Sequence, residues 1–227
     1  MTKRSKRHDA AAALVEKKRR YAVQDAVELL RKFPAIKFDE SVTLALRLGI
    51  DATKSDQIVR GAFSLPHGIG KSVVVLAFAE GEIAKEAKEA GADFVGSADL
   101  AEKIQGGWME FDVAIAHPSM MKIVGKLGRV LGPQGKMPSP KAGTVIEAVG
   151  KAVEEFKAGK IEFRNDSGGN LHALMGKRSF EPKKLAENIG AFIEHVHTLR
   201  PPATKGNFVT GGSLASTMSP GIELAVS

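Results

Sequence analysis

The sequence predicts a mixed protein, α+β and α/β, of two domains. A discontinuous α+β domain comes from both chain ends, residues 1–66 and 160–227, and an α/β domain of residues 67–159 is inserted between them. Three observations lead there. Near both ends apolar residues recur with a period of two, the mark of strands buried on one face. In the middle, short apolar runs alternate with helical spacings three times, the pattern of a parallel sheet covered on both sides. A glycine-containing break stands on each side of that middle, at 66–70 and 158–160. One continuous mixed sheet is the competing arrangement.

Residues 22–33 place Val23, Val27, Leu30 and Phe33 at helical spacing, so a helix with one core-facing side is expected. Val42, Leu44, Leu46, Leu48 and Ile50 alternate with Thr43, Ala45, Arg47 and Gly49, which describes a half-buried strand. Residues 58–65 read as a second strand. After the first break, 73–78 is an unbroken apolar run suited to a fully covered strand, and 82–90 has helical spacing. The pair recurs as 93–95 with 98–104, and as 113–116 with 119–126. The loop Leu131-Gly132-Pro133-Gln134-Gly135-Lys136-Met137-Pro138-Ser139-Pro140 then precedes a helix expected over 144–157. Ile161 and Phe163, then Leu171, Ala173 and Met175, restore the alternation around a hairpin turn at 166–169. Pro182 opens a helix with Leu185, Ile189, Phe192, Ile193 and Val196 on its inner face. Two more short strands are expected around Ser219-Pro220-Gly221.

The 227 residues are 43% hydrophobic, enough for ordinary cores, and contain no cysteine, which excludes disulfides, thiolate metal sites and cysteine nucleophiles. No stretch reaches the roughly 18 apolar residues of a membrane span, and the start lacks the apolar core of a secretory signal. A soluble, unexported, cytosolic protein is expected. The 33 Lys and Arg against 26 Asp and Glu give a formal charge of +7, which favours a polyanionic partner through counterion release. Nucleic acid leads membrane; the plainer alternative is that the basicity only aids solubility. Lys3, Arg4, Lys6 and Arg7, then Lys17, Lys18, Arg19 and Arg20, make a basic amino terminus of the kind that orders on a phosphate backbone.

Catalytic patterns fit poorly. Gly68-Ile69-Gly70-Lys71-Ser72 suggests a phosphate loop, but its first glycine would fall at Leu65 and it leads into a strand rather than a helix. It reads as a hinge. The βαβ region lacks the glycine fingerprint of a dinucleotide seat. His195 and His197, two apart on a helix, point in different directions and do not make a metal pair, so surface histidines are expected. Asp166, Ser167 and His172 form no hydrolytic trio without a strand-to-helix elbow, and Asp166 fits hydrogen bonding within its own turn. No metal or cofactor is expected.

Binding remains. Between Asp112 and Glu147 no acidic residue occurs, while Lys122, Lys126, Arg129, Lys136 and Lys141 do, in a span whose second half glycines and prolines hold open. Such a loop lays lysines and backbone N–H groups on phosphates, or is a solvated linker. A second cluster belongs to the end domain: Lys37, Phe38, Arg164, Lys177 and Arg178 beside Ser216-Thr217-Met218. Phenylalanine with arginine suits stacking, and the hydroxyls suit an RNA 2′-OH; a core position is the alternative for Phe38. The rival function is a phosphate-handling enzyme on the inserted sheet, using Lys71 or the loop from Gly132 to Lys136.

Asp51 to Ser55, Gln57-Ile58-Val59-Arg60-Gly61, Leu65-Pro66-His67-Gly68-Ile69-Gly70-Lys71, Glu89-Ala90-Gly91-Ala92-Asp93, Leu131-Gly132-Pro133, Pro138-Ser139-Pro140-Lys141-Ala142-Gly143-Thr144-Val145 and Gly159-Lys160-Ile161-Glu162-Phe163-Arg164-Asn165-Asp166 together resemble the L-one family of bacterial large-subunit ribosomal proteins, over nearly the whole chain. The resemblance implies an end-joined domain that holds large-subunit rRNA and an inserted Rossmann-like domain moving on hinges at Pro66, Gly68, Gly70 and Gly159. It also implies a mobile stalk that contacts departing exit-site tRNA, repression through the protein's own operon mRNA, other ribosome components as neighbours, and a monomer when free. Carried over by position, the RNA-binding surface comprises Lys37, Phe38, Glu40, Arg164, Asp166, His172, Lys177, Ser216, Thr217 and Met218. One departure stands out: the chain reads Thr217-Met218-Ser219-Pro220-Gly221 where the family usually has Thr-Met-Gly-Pro-Ser, so a side chain at Ser219 is expected to crowd the backbone near RNA.

Overall fold

The structure is a computed structural model that describes residues 5–16 and 18–226. The chain forms two compact units, Met1–Gly70 with Ile161–Ser227, and Lys71–Lys160. These limits lie at 70/71 and 160/161, against 66/67 and 159/160 in the sequence reading. Among the described residues, three separate sheets take the place of the continuous one considered as an alternative.

The unit made from the chain ends is built on β1 (Ser41–Leu48), paired antiparallel with β7 (Asn170–Lys177) on one side and β8 (Val209–Ser216) on the other, with β9 (Ile222–Leu224) beyond β8. Val42, Leu44, Leu46 and Leu48 are buried while Thr43 and Arg47 are exposed, as the alternation requires. On the covered face lie α2 (Val23–Lys32), burying Ala26, Val27 and Leu30, and α8 (Pro182–Thr198). Leu185, Ile189, Phe192 and Val196 of α8 are buried, each contributing about 2 kcal/mol.

A second, two-stranded sheet joins β2 (Arg60–Ser64) to β6 (Lys160–Arg164). Phe192 meets Phe63 and Phe163 edge-on, at 6.0 and 5.2 Å between centroids. His195 stacks on Phe63 at 4.6 Å, and burial holds its pKa below the ordinary imidazole value. It is therefore packed rather than the surface histidine expected; His197 is exposed.

Ahead of these elements stands α1 (Lys6–Ala13), where the sequence reading has only a basic arm. Ser5 caps it by accepting from the N–H of His8, and four consecutive alanines favour it. Of that arm, Lys3, Arg4 and Lys17 lie outside the described residues.

The 71–160 unit holds a parallel sheet with β3 (Val75–Phe78) between β4 (Phe94–Gly96) and β5 (Val113–Ala116). Every β3 residue is buried. Leu76 and Phe78 share a core with α4 (Ala98–Gln105), α5 (Met121–Val124) and α6 (Gly128–Leu131). The opposite side is covered by α3 (Gly81–Glu89) and α7 (Val149–Ala158). The helix expected over 144–157 starts five residues later. Gly143, at φ 65, delivers the chain extended, and Val145 forms a parallel bridge to Ala116. The β-branched run Thr144-Val145-Ile146 prefers that conformation.

The hinge candidates 66–70 are held to the end-built unit. Asn188, fully buried on α8, accepts from the His67 N–H and donates to the carbonyls of Gly68 and Met175, at 3.1, 3.0 and 3.0 Å. Met175 is available because the register slips between Val42 and Thr43, leaving it as the extra residue of a bulge. Leu65 and Ile69 are buried on either side of exposed Pro66, and a side chain at Gly70 would collide with the Phe180 ring. Gly68, Gly70 and Gly159 sit at φ 64, 66 and 114, where side chains are strained. Asn188→Leu would strand three backbone groups, the Met175 carbonyl among them fully buried. We expect urea unfolding to show a loss of about 3 kcal/mol, whereas a loss below about 0.5 kcal/mol would mean that the amide does not hold this segment.

Candidate nucleic-acid interface

One buried ion pair organises the expected RNA-binding residues. Glu40 is 1% exposed and accepts from Arg178 Nη1 at 2.6 Å through Oε2. Further Nη donors of Arg178 reach the carbonyls of Arg31, Phe33 and Pro34 at the end of α2, where a cation also meets the helix dipole. The other Glu40 oxygen accepts from the N–H of Met218 at 3.1 Å. Beside it, Thr217 Oγ1 accepts from the Ser41 N–H at 3.0 Å and faces the Ser41 carbonyl at 3.3 Å, while Lys177 Nζ donates to Ser41 Oγ at 3.0 Å. The tail is thereby fastened to the start of β1, and groups 178 residues apart in sequence are brought together.

What this network presents is apolar and cationic. Phe38 is 55% exposed and Met218 51%, both unusually open for large hydrophobic residues, with Lys37 also exposed. The core alternative for Phe38 is thus excluded. Two expectations need correction. Glu40 and Arg178 are not surface groups: each is spent on internal bonds, so they position the strip rather than face a ligand. Ser216 is likewise buried at 3%, on the inner face of β8, and its hydroxyl finds no hydrogen-bond partner among the described residues.

Ser219 does not crowd its turn. Its Oγ accepts from the Ser216 N–H at 2.9 Å and its own N–H donates to the Ser216 carbonyl at 3.0 Å, so the side chain folds back on the turn. Gly221 has its own reason, since a side-chain carbon there would stand 2.7 Å from Ser213 Oγ.

Asp166 builds the turn between β6 and β7. Its Oδ1 accepts from the N–H groups of Asn170 and Gly168 at 2.7 and 2.9 Å, and Gly169 takes φ 76. Hydrogen bonds from the backbone and side chain of Asn170 hold its pKa below the ordinary carboxylate value against the opposing effect of desolvation, helped by the Gly168 N–H and by the electrostatic attraction of nearby His172. His172 lies 3.9 Å away, exposed, opposite Ala45 on the open face of the sheet. Arg164, at the end of β6, is also exposed.

That open face continues the site. A concavity of about 310 Å³ has Ala45, Gly211 and Ser213 as its small-residue floor, with Arg20, Arg47 and His172 around it. From Ser41 to Arg47 the face runs about 20 Å along β1. Arg47 and Ser213 escaped the sequence reading as site residues, although Arg47 occupies the polar register of the first strand; Arg20 entered it only as part of the basic amino terminus.

In the 71–160 unit, the first part of the basic span is helical, as the 119–126 spacing predicts, and its helical turns run on to Leu131 before the open stretch begins. Lys122 and Arg129 lie on α5 and α6, and Lys126 on the 3₁₀ turn joining them. Spaced by four and three residues, the three are exposed along one stripe, with Val124, Leu127 and Leu131 buried beneath. Lys141 is exposed on a later turn. Lys136 turns inward: its Nζ donates to the carbonyls of Met109 and Phe111 and lies 4.9 Å from the Phe111 ring centre. Lys71 pairs with both oxygens of Asp112, at 3.0 and 3.1 Å. Both lysines of the rival enzymatic reading are thus engaged in structural contacts.

Comparison with known families places this mixed, basic chain among the ribosomal proteins. The model of the Ribosomal protein L1p/L10e family matches residues 30–220, and the chain belongs to that family, whose members are structural constituents rather than enzymes. More particularly, the chain is 54% identical to large ribosomal subunit protein uL1 of Kosmotoga olearia over 224 residues, covering 99% of this chain and 97% of the relative. The proteins of the same name from Fervidobacterium nodosum and Thermosipho melanesiensis are 54% and 53% identical over 225 residues, covering 99% of this chain and 96% and 97% of theirs.

Two outcomes follow from the site's internal bonding. Glu40→Ala leaves the Arg178 guanidinium unpaired and should cost about 3 kcal/mol in urea unfolding; an unchanged midpoint would deny the pair its organising role. Because the folded Asp166 carboxyl titrates below its unfolded value of about 3.9, its stabilisation is present above that pH and disappears as pH falls through the folded value. Asp166→Asn should therefore lose less Tm than the parent between about pH 6 and pH 3, and equal losses would contradict the assignment.

Proposed function

We propose that this protein is a cytoplasmic constituent of the large ribosomal subunit that binds large-subunit rRNA through the end-built unit. In this reading Phe38 and Met218 stack on or pack against unpaired nucleotides, while Lys37, Lys177 and Arg164 neutralise phosphates and Thr217 and His172 meet sugar or base edges. Glu40 and Asp166 hold the frame. The single observation that carries it is the exposure of Phe38 and Met218 beside Lys37, anchored from below by Glu40 and Arg178.

The 71–160 unit is proposed as the arm of the mobile stalk, moving about the crossings near Gly70 and Gly159. It assists the movement and release of deacylated tRNA from the exit site, with Lys122, Lys126, Arg129 and Lys141 as a second phosphate-facing surface. The free protein also represses translation of its own operon by binding the messenger at the rRNA site. A shared site makes rRNA and messenger mutually exclusive ligands.

The deciding experiment titrates the full chain with a stalk rRNA fragment across a salt series. Affinity should fall steeply with salt, and Phe38→Ala or Met218→Ala should weaken binding at least tenfold, by loss of a contact of about 1–3 kcal/mol. Lys71→Ala, which removes an ion pair elsewhere, should change it less than about twofold. Equal losses at Met218 and Lys71 would remove the site assignment.

A further inference from the structure

We infer that α1 is a displaceable arm of the same interface, which carries Lys6 and Arg7 onto the phosphate backbone of the bound RNA. The inference rests on the RNA reading of the Phe38–Met218 strip and adds to it an element outside that strip. Its starting point is one hydrogen bond: Arg7 Nη2 donates to the carbonyl of Met218 at 3.1 Å, across 211 residues of sequence. The N-terminal helix thus reaches the same turn whose N–H is held by Glu40 and whose neighbouring hydroxyl is held by Ser41. Arg7 occupies the outward carbonyl of that turn.

The helix is lightly held. Of the residues in α1 only Ala11 is buried, Leu14 just beyond it is 46% exposed, and His8 Nδ1 is enclosed without a hydrogen-bond partner among the described residues. An enclosed, unpaired nitrogen opposes docking. The attachment further along is firm by contrast. Tyr21 donates to the Glu223 carbonyl and accepts from the Ala225 N–H, both at 2.9 Å, and its hydroxyl accepts from the Glu16 N–H at 3.1 Å. With the Glu16 N–H tied to the Tyr21 hydroxyl, the connection from this anchor back to α1 is short, so the helix pivots about Tyr21.

Charge decides the direction of the exchange. In the free protein Arg7 is paired with a neutral carbonyl, and a phosphate offers a charge-assisted bond about twice as strong. Lys6 is already exposed beside it. RNA on the strip thus draws the arm down rather than competing with it, and each cation that engages a phosphate steepens the salt dependence.

The test uses the full chain and a stalk rRNA fragment, comparing Lys6→Ala/Arg7→Ala, Arg7→Lys and Phe38→Ala with the parent. The double variant should bind about tenfold more weakly at low salt, with a log–log slope shallower by about 1.5, while Arg7→Lys keeps the parental slope. Unchanged affinity and slope in the double variant, with binding lost in Phe38→Ala, would overturn the inference and leave the strip in place. Tighter binding by the double variant would make the helix a competitor and equally overturn it. If neither Phe38→Ala nor the double variant differs from the parent, the RNA reading of the strip itself falls.

Discussion

The buried pair of Glu40 and Arg178 is the constraint on which the end-built unit depends. A carboxylate with 1% exposure is tolerable only if its oxygens are filled, and here they are filled from two directions, by a guanidinium from the turn after β7 and by a backbone N–H from the tail. The same guanidinium collects carbonyls from the end of α2. Three stretches distant in sequence are therefore fixed by one polar knot, and the exposed strip above it inherits its shape from that knot. Exposing Phe38 and Met218 is unfavourable in itself. The protein holds them open on a rigid base.

Much of the fold was legible because hydrophobic period carries it. The alternation of 42–50 locates β1 and correctly assigns Arg47 to the outward face, and the unbroken run 73–78 marks a strand covered on both sides. The helix spacing of Leu185, Ile189 and Phe192 likewise locates α8. Less of the site was legible, since it depends on direction rather than type. Arg178 and Lys177 are adjacent cations, yet one turns inward onto Glu40 and the other reaches Ser41. Lys136 lies in a cationic run and nevertheless caps two carbonyls. Only the tertiary placement of acceptors separates them. The first helix was missed because charge at 3–7 and 17–20 masked a short alanine run with a serine cap.

The 71–160 unit shows the same division of labour among its cations. Lys71 and Lys136 secure internal groups, while Lys122, Lys126 and Arg129 form an outward stripe over buried Val124, Leu127 and Leu131. Glycines at 125 and 128 have open space where a side chain would be, so the backbone beside the stripe is approachable. Sequence counting gives the net charge of this span. The helical turns give it an orientation, because residues four and three apart share a face.

The pairing of Tyr21 with β9 bears on a different property. A three-residue strand at the end of a sheet normally exposes N–H and carbonyl groups to any extended chain that passes. Here the Glu223 carbonyl and the Ala225 N–H are both occupied by Tyr21, a residue from near the other end of the chain. The margin of the sheet is closed from within, which removes a template for strand addition by another copy. That closure is a safeguard against aggregation.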